Sequence, residues 1–164
     1  MDNLLSEVFN PQAIKLDIDG KTKEMVFAEL IDEIITLHPE CDRDQVLSSA
    51  KEREEKMNTG IGSGVAIPRA VCRGIDKFAG AIGVSQHGID YGALDGKPVH
   101  VIFLLAMNEC AQESHLHIID LIFKLAQSNA ITLIKEAKSA EEIQAVLSCS
   151  NYLKNNYNER SFYE

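Results

Sequence analysis

The segment from Val99 to Ala106 is apolar almost throughout, and it constrains the fold more than any other part of the sequence. An apolar run of this kind is typical of a strand that is buried on both faces of a sheet. A second run with β-forming residues extends from Phe78 to Val84. Because both faces of a central strand need cover, the sequence predicts a sheet packed between helices.

Two helices are predicted in the first half of the chain. Thr22 is a candidate N-cap for the first, and Asp42 with Gln45 resembles a capping box that opens the second, which runs toward Arg53. The buried face of the first helix has the i, i+3, i+4, i+7, i+8 spacing and consists of Phe27, Leu30, Ile31, Ile34 and Ile35.

Two more helices are predicted in the second half, from His115 to Gln127 and after a capping box formed by Ser139 and Glu142. Short strands are predicted from Ile14 to Ile18 and from Val65 to a turn at Pro68. Helices and strands are therefore mixed along the chain. The predicted fold class is α/β, a three-layer sandwich in which a mixed sheet is covered by helices on both faces.

The length of 164 residues fits one domain, which we place at residues 1–150, followed by a polar and flexible tail at 151–164. The formal net charge of -9 argues against nucleic acid as a partner, because phosphate backbones are bound by basic surfaces. No stretch has the length and apolar character of a membrane span, and the N-terminus does not resemble a signal peptide. We therefore expect a cytoplasmic protein without membrane insertion.

The cysteines and histidines do not predict a metal or a cofactor. Cys41, Cys72, Cys110 and Cys149 are widely spaced without a CxxC pair, so we expect reduced, buried thiols rather than a zinc knuckle or a redox dithiol. His115 and His117 are two residues apart, which separates them by about 200° around a helix and prevents them from binding one metal ion together.

A glycine-rich loop extends from Thr59 to Gly64 and also contains Gly60, Gly62 and Ser63. It lacks the Lys-Ser/Thr pair of a P-loop and leads from a helix into a strand, the reverse of the order in nucleotide sites. Ser63 lacks the glycine spacing of a nucleophile elbow. A tight structural loop remains the alternative to a phosphate cradle.

Three blocks of sequence together resemble one family. Arg53-Glu54, followed by Thr59-Gly60-Ile61-Gly62-Ser63-Gly64-Val65-Ala66-Ile67-Pro68, is similar to the signature of the fructose/mannitol class of enzyme IIA of the phosphoenolpyruvate-dependent sugar phosphotransferase system, including its nitrogen-regulatory branch. Residues 88–96 with 99–106, and the block His115-Leu116-His117-Ile118-Ile119, agree in order and spacing. The resemblance covers about residues 4–148, and the lack of attached carrier or membrane domains favours the nitrogen-regulatory branch.

The resemblance implies a phosphorylation site in which one residue differs. In the family, a histidine directly after the Ile-Pro pair accepts a phosphoryl group, whereas this chain has Arg69. Arg53, Thr59 and His115 match helper positions around that group, and Gly60, Gly62 and Gly64 match the adjoining loop. Because a protonated guanidinium has no free lone pair, phosphoryl acceptance at Arg69 is expected to be lost.

Three functions follow from the resemblance. The first is a regulatory protein-binding module that is locked in a dephospho-like state. Its partner would be a phosphotransferase-system protein, such as the histidine phosphocarrier protein, or a regulated target protein. The second is an active phosphoryl carrier that uses His115, which would make the chain a transferase. The third is a sensor in which Arg53, Arg69 and His115 bind phosphate or a carboxylate metabolite.

Overall fold

A computed structural model describes residues 4–111 and 115–149. Its strands are β1 (Phe9–Lys15), β2 (Gly60–Gly62), β3 (Val65–Ala66), β4 (Arg69–Val71), β5 (Phe78–Ile89) and β6 (Val99–Met107). Its helices are α1 (Leu4–Val8), α2 (Lys23–Leu37), α3 (Arg43–Lys56), α4 (His115–Ala126), α5 (Ala130–Glu136) and α6 (Ala140–Ser148), with a 3₁₀ turn at Glu109–Ala111.

The six strands form one mixed sheet, in the order β1-β5-β6-β3-β2, with β4 also paired to β6. β5 and β6 are antiparallel and lie at the centre. β1 is parallel to β5, and β3 and β4 are both parallel to β6. The predicted central strand is confirmed, because β6 is buried along almost its whole length.

Helices cover both faces of the sheet. Residues of α2 and α3 form one buried cluster with one face, and residues of α1, α4, α5 and α6 form a second cluster with the other face. Phe27 and Leu30 of α2 are fully buried in the first cluster, and Ile118 and Ile122 of α4 are fully buried in the second. The predicted three-layer α/β sandwich is therefore confirmed.

The predicted caps are confirmed for three helices. The Thr22 hydroxyl accepts a hydrogen bond from the Met25 backbone N–H, which satisfies one of the unpaired amides of the first turn of α2. The side chain of Asp42 accepts from Asp44 N and Gln45 N, and that of Ser139 accepts from Glu142 N.

The structure differs from the sequence predictions in five places. The first strand is Phe9–Lys15 rather than a segment that continues to Ile18, and a short helix, α1, precedes it. α5 was not predicted. The glycine-rich segment is a hairpin of β2 and β3 rather than a loop alone. The chain also does not turn away from the sheet at Pro68, because it continues along β6 as β4.

Pro68 explains why β3 and β4 are separate strands. A proline lacks the N–H that a ladder requires, but its carbonyl can still accept. Leu105 N donates to Pro68 O across 2.9 Å, so the chain stays beside β6 through the break. Arg69 is consequently the first residue of β4, opposite Leu105 of β6.

No helix within the described residues is long and apolar enough to cross a membrane. The predicted tail at 151–164 lies outside the described residues.

Candidate functional site

A cavity of about 190 Å³ lies where α3, β4, the end of β6 and the start of α4 meet. It is lined by Ser49 and Arg53 of α3, Arg69, Ala70 and Val71 of β4, Met107 of β6 and His115 of α4. Three of the residues that the sequence singled out thus line one cavity. They are Arg53, Arg69 and His115.

Hydrogen bonds to α3 and β6 fix β4 beside the cavity. Val71 N donates to the Ser49 hydroxyl across 2.7 Å, and the Gln45 side-chain amide donates to Val71 O across 3.1 Å. Beyond β4, Cys72 N donates to Met107 O across 2.8 Å. β4 is therefore held between a helix and a central strand, which limits how far Arg69 can move.

Arg53 and His115 reach the cavity from helix ends. Arg53 is in the last turn of α3, and one guanidinium nitrogen donates to Met57 O across 3.3 Å. His115 is the first residue of α4. A helix N-terminus carries a partial positive charge, so His115 lies where an anion is favoured.

Two buried nitrogens in the cavity wall have no hydrogen-bond partner among the described residues, Arg69 Nε and His115 Nδ1. Such groups are uncommon, because an unpaired buried polar atom costs about 1–3 kcal/mol. Both belong to residues that the cavity brings together. An oxygen-bearing ligand in the cavity would be a suitable partner for a guanidinium N–H.

The cavity is positively charged. Burial lowers the pKa of Arg69, as does neighbouring Arg53, and Glu54 acts in the opposite direction. Burial also lowers the pKa of His115, with further contributions from Arg69 and Arg53. No carboxylate is among the described lining residues, so the positive charge of Arg53 and Arg69 is opposed only from outside the lining, by Glu54.

Thr59 is not among the cavity-lining residues, and its hydroxyl belongs to a buried network instead. Its backbone N–H and hydroxyl both donate to the Glu54 carboxylate, across 3.0 and 2.6 Å. The same hydroxyl lies 2.7 Å from the Tyr91 hydroxyl, and Lys23 Nζ pairs with Glu54 across 3.1 Å. This network fixes the end of α3, next to Arg53.

Gly60, Gly62 and Gly64 belong to the β2–β3 hairpin, and the cavity lining does not include them. Gly62 and Gly64 have φ values of 90° and 76°, a region that favours glycine. At Gly60 a Cβ would lie 2.8 Å from Ala93 Cβ. Backbone geometry at Gly62 and Gly64 and close packing at Gly60 explain why these residues are glycines.

The arrangement can bind an anion by charge-assisted hydrogen bonds. A guanidinium presents several N–H donors in a plane that suits phosphate and carboxylate. No group of three or more His, Cys, Asp or Glu side chains suited to a metal ion occurs within the part of the chain that the structure describes.

Glu54 and Tyr91 support the site, but sequence reasoning did not single them out. Glu54 follows Arg53 in the first of the three blocks that carry the family resemblance, and Tyr91 lies in the second block. Tyr91 meets Thr59 through a contact between residues that are 32 positions apart, whereas Glu54 is only five positions from Thr59. Spacing alone does not reveal such a contact.

The fold and the site define a class of protein. Residues 7–149 match the family of the phosphoenolpyruvate-dependent sugar phosphotransferase system, EIIA 2. The chain therefore belongs to the EIIA type 2 family.

Proteins similar to this chain include both sugar-specific and nitrogen-regulatory proteins. It is 31% identical to the PTS system fructose-specific EIIA component of Haloferax volcanii, over 87% of this chain and 94% of that protein. It is 30% identical to the nitrogen regulatory protein homolog of Haemophilus influenzae, over 94% and 97%. It is also 33% identical to the fructose-specific EIIABC component of Bacillus subtilis, over 90% of this chain, but it spans only 23% of that protein's length.

Two solved structures have the fold of this chain. The crystal structure of nitrogen regulatory protein IIA-Ntr from Neisseria meningitidis superimposes with a TM-score of 0.80 and 30% identity, over 88% of this chain and 99% of that chain. The crystal structure of mannitol IIA from Escherichia coli has the same fold, with a TM-score of 0.69 at 17% identity.

Proposed function

We propose that this protein is a regulatory EIIA type 2 protein of the nitrogen-regulatory kind, fixed in a dephospho-like state because Arg69 occupies the position of the phospho-acceptor histidine. The observation that carries the proposal is the position of Arg69, directly after Ile67-Pro68 and in the wall of a cavity with Arg53 and His115. In this role Arg53 and His115 are the neighbours that a phosphoryl group would have had.

The charge of Arg69 explains the dephospho-like state. A phosphorylated side chain carries roughly two negative charges at neutral pH, whereas an arginine side chain stays protonated and carries one positive charge. A partner that distinguishes the two states by electrostatics would therefore bind this protein as if it were unphosphorylated. The partner is a phosphotransferase-system protein, such as the histidine phosphocarrier protein, or a regulated target protein.

Supplying the full phosphoryl-transfer chain tests this function. The wild-type protein would be incubated with phosphoenolpyruvate, enzyme I and the histidine phosphocarrier protein, and its intact mass recorded at alkaline pH, where phosphohistidine survives. The proposal predicts that the phosphocarrier protein gains a phosphoryl group and that this protein gains none. A phosphorylated wild-type protein would contradict the proposal and would make His115 the first acceptor to examine.

A second candidate function is the sensing of phosphate or of a carboxylate metabolite. It is supported by the buried and unpaired Arg69 Nε and His115 Nδ1 in one positively charged cavity. Titration with inorganic phosphate, followed by calorimetry or by the NMR shifts of His115, separates the two functions. Saturable binding at millimolar phosphate or below would favour the sensor, because protein binding alone does not require affinity for the free anion.

The third possibility, phosphoryl transfer through His115, rests on a different property of the same residue. The lowered pKa keeps the imidazole neutral at neutral pH, so that one ring nitrogen carries a free lone pair. The phosphorylation test above distinguishes this possibility from the other two, and a His115→Gln variant would identify the acceptor.

A further inference from the structure

Cys41 and Cys72 lie side by side in the core, although 31 positions separate them in the sequence. Both are free thiols, and their two sulfur atoms are in direct contact, 2.6 Å apart. Both residues are buried, with 8% of Cys41 and none of Cys72 exposed. The sequence predicted that all four cysteines would be buried thiols, which is wrong for Cys110, which is exposed, and for Cys149, which is half-buried. It did not predict that Cys41 and Cys72 would be in contact.

The pair joins two elements that line the cavity. Cys41 directly precedes Asp42, the N-cap of α3, and Cys72 directly follows β4. α3 supplies Ser49 and Arg53 to the cavity, and β4 supplies Arg69 and its neighbours. A covalent bond between the two sulfurs would therefore tie the start of one cavity wall to the end of another.

We propose that Cys41 and Cys72 are a redox pair that closes to an intramolecular disulfide under oxidation by a hydroperoxide. In the first step, the Cys41 thiolate attacks the O–O bond of hydrogen peroxide and becomes a sulfenic acid, and the departing hydroxide takes up a proton to leave as water. In the second step, the Cys72 thiolate displaces hydroxide from the Cys41 sulfur, which forms the S–S bond and a second water. The sum is two thiols and one hydrogen peroxide giving one disulfide and two waters.

Cys41 is assigned as the first thiol to react because it is the more exposed of the two. Cys41 also packs against Gly74, which has no side chain to cover the thiol. A Cβ at position 74 would lie 3.1 Å from Cys41 Sγ. Cys72 has no exposed surface and can react only with its neighbour.

Burial sets the rate of this reaction. Burial raises the pKa of Cys41 to about 12, with additional contributions from Cys72 and Glu40, so that very little thiolate is present at neutral pH. The reaction therefore proceeds slowly in the closed protein and faster when the turn between α2 and α3 opens locally. The exposed Cys110 is the faster site of oxidation and provides an internal comparison.

A variant that retains only the pair tests the proposal. Cys110→Ser and Cys149→Ser together remove the other two cysteines. This variant would be treated with hydrogen peroxide, unfolded, alkylated and analysed by intact mass and by peptide mapping. We expect both thiols to be lost together with the mass of two hydrogens, a cross-linked peptide containing Cys41 and Cys72, and complete reversal by dithiothreitol. Oxidation should leave the oligomeric state of the protein unchanged, and its Tm should rise by roughly 5–10 °C.

Two further variants serve as matched controls. In the same background, Cys41→Ser or Cys72→Ser removes one partner, so peroxide should produce neither the cross-linked peptide nor the rise in Tm. Two alkylatable thiols that persist when peroxide treatment is continued well beyond the complete oxidation of Cys110 in the wild type, including at a urea concentration that promotes local opening, would overturn the proposal. Disulfides that appear only between molecules, or a sulfinic acid at Cys41 with Cys72 still free, would overturn it equally.

Discussion

Arg69 and His115 line one cavity from β4 and from the start of α4, and each has a buried nitrogen without a hydrogen-bond partner among the described residues, Nε and Nδ1 respectively. The charge of Arg69 also contributes to the lowered pKa of His115. Arg69 therefore disfavours a positive charge on His115 until an anion is bound. Both consequences, a pH-dependent stability and an anion affinity, can be measured.

The folded protein should lose stability on acidification because of His115. Its folded-state pKa lies below the ordinary value of 6.5. As the pH falls through about 6.5, the unfolded chain takes up this proton before the folded protein does, so the free energy of unfolding decreases. The decrease ends once the pH is below the folded-state pKa. Urea unfolding between about pH 7.5 and 5 would measure it.

In a His115→Gln variant, the free energy of unfolding should decrease less over the same pH range, because the titrating group is removed while a polar side chain is kept. His117→Gln, which removes an exposed histidine two residues away on the same helix, is the matched control. If the free energy of unfolding decreased with pH as steeply in His115→Gln as in the wild type, His115 would not be the group responsible.

The sensor candidate predicts an affinity for sulfate that depends on Arg69 and on pH. A bound dianion favours the protonated imidazole, so affinity should rise as the pH falls from about 7.5 to 5.5, and the charge of sulfate itself does not change there. Arg69→Gln should weaken binding about tenfold or more, since it removes a charge-assisted contact. Arg73→Gln, which alters an exposed arginine paired with Glu109, should have little effect. Equal loss in both variants would indicate nonspecific attraction.

Glu54 should be a major contributor to stability, because it accepts hydrogen bonds from Thr59 and pairs with Lys23 in a buried position. Glu54→Leu leaves those donors without their acceptor, and the free energy of unfolding should fall by roughly 2–4 kcal/mol. Glu52→Leu makes the same chemical change at an exposed position of the same helix and should cost less than about 0.5 kcal/mol. Similar losses in both variants would argue against the network.

The sequence predicted those elements whose formation depends on residues close together in the chain, such as apolar runs and helix caps. The apolar run at 99–106 corresponds to β6, and the caps at Thr22 and Asp42 begin α2 and α3. β4 could not be predicted in this way, because three residues after a proline carry no periodicity. It exists because β6 offers a free edge beyond Pro68, to which the chain remains hydrogen-bonded.

The candidate site was predictable only through the family resemblance. Arg53, Arg69 and His115 come from three different elements, and nothing in their spacing indicates that they share a cavity. The Thr59 hydroxyl is bonded within the Glu54 and Tyr91 network and does not line the cavity, and its part in the site stays a prediction. The contact between Cys41 and Cys72 likewise depends on tertiary packing alone.

The most direct measurement compares phosphorylation of the wild type with that of Arg69→His, in the presence of phosphoenolpyruvate, enzyme I and the histidine phosphocarrier protein. A histidine at this position supplies the nucleophilic nitrogen that arginine lacks, beside Arg53 and His115. Intact mass at alkaline pH should show one phosphoryl group on Arg69→His and none on the wild type. Phosphorylation of both proteins would contradict the account, because the wild type would then not be fixed in the dephospho-like state.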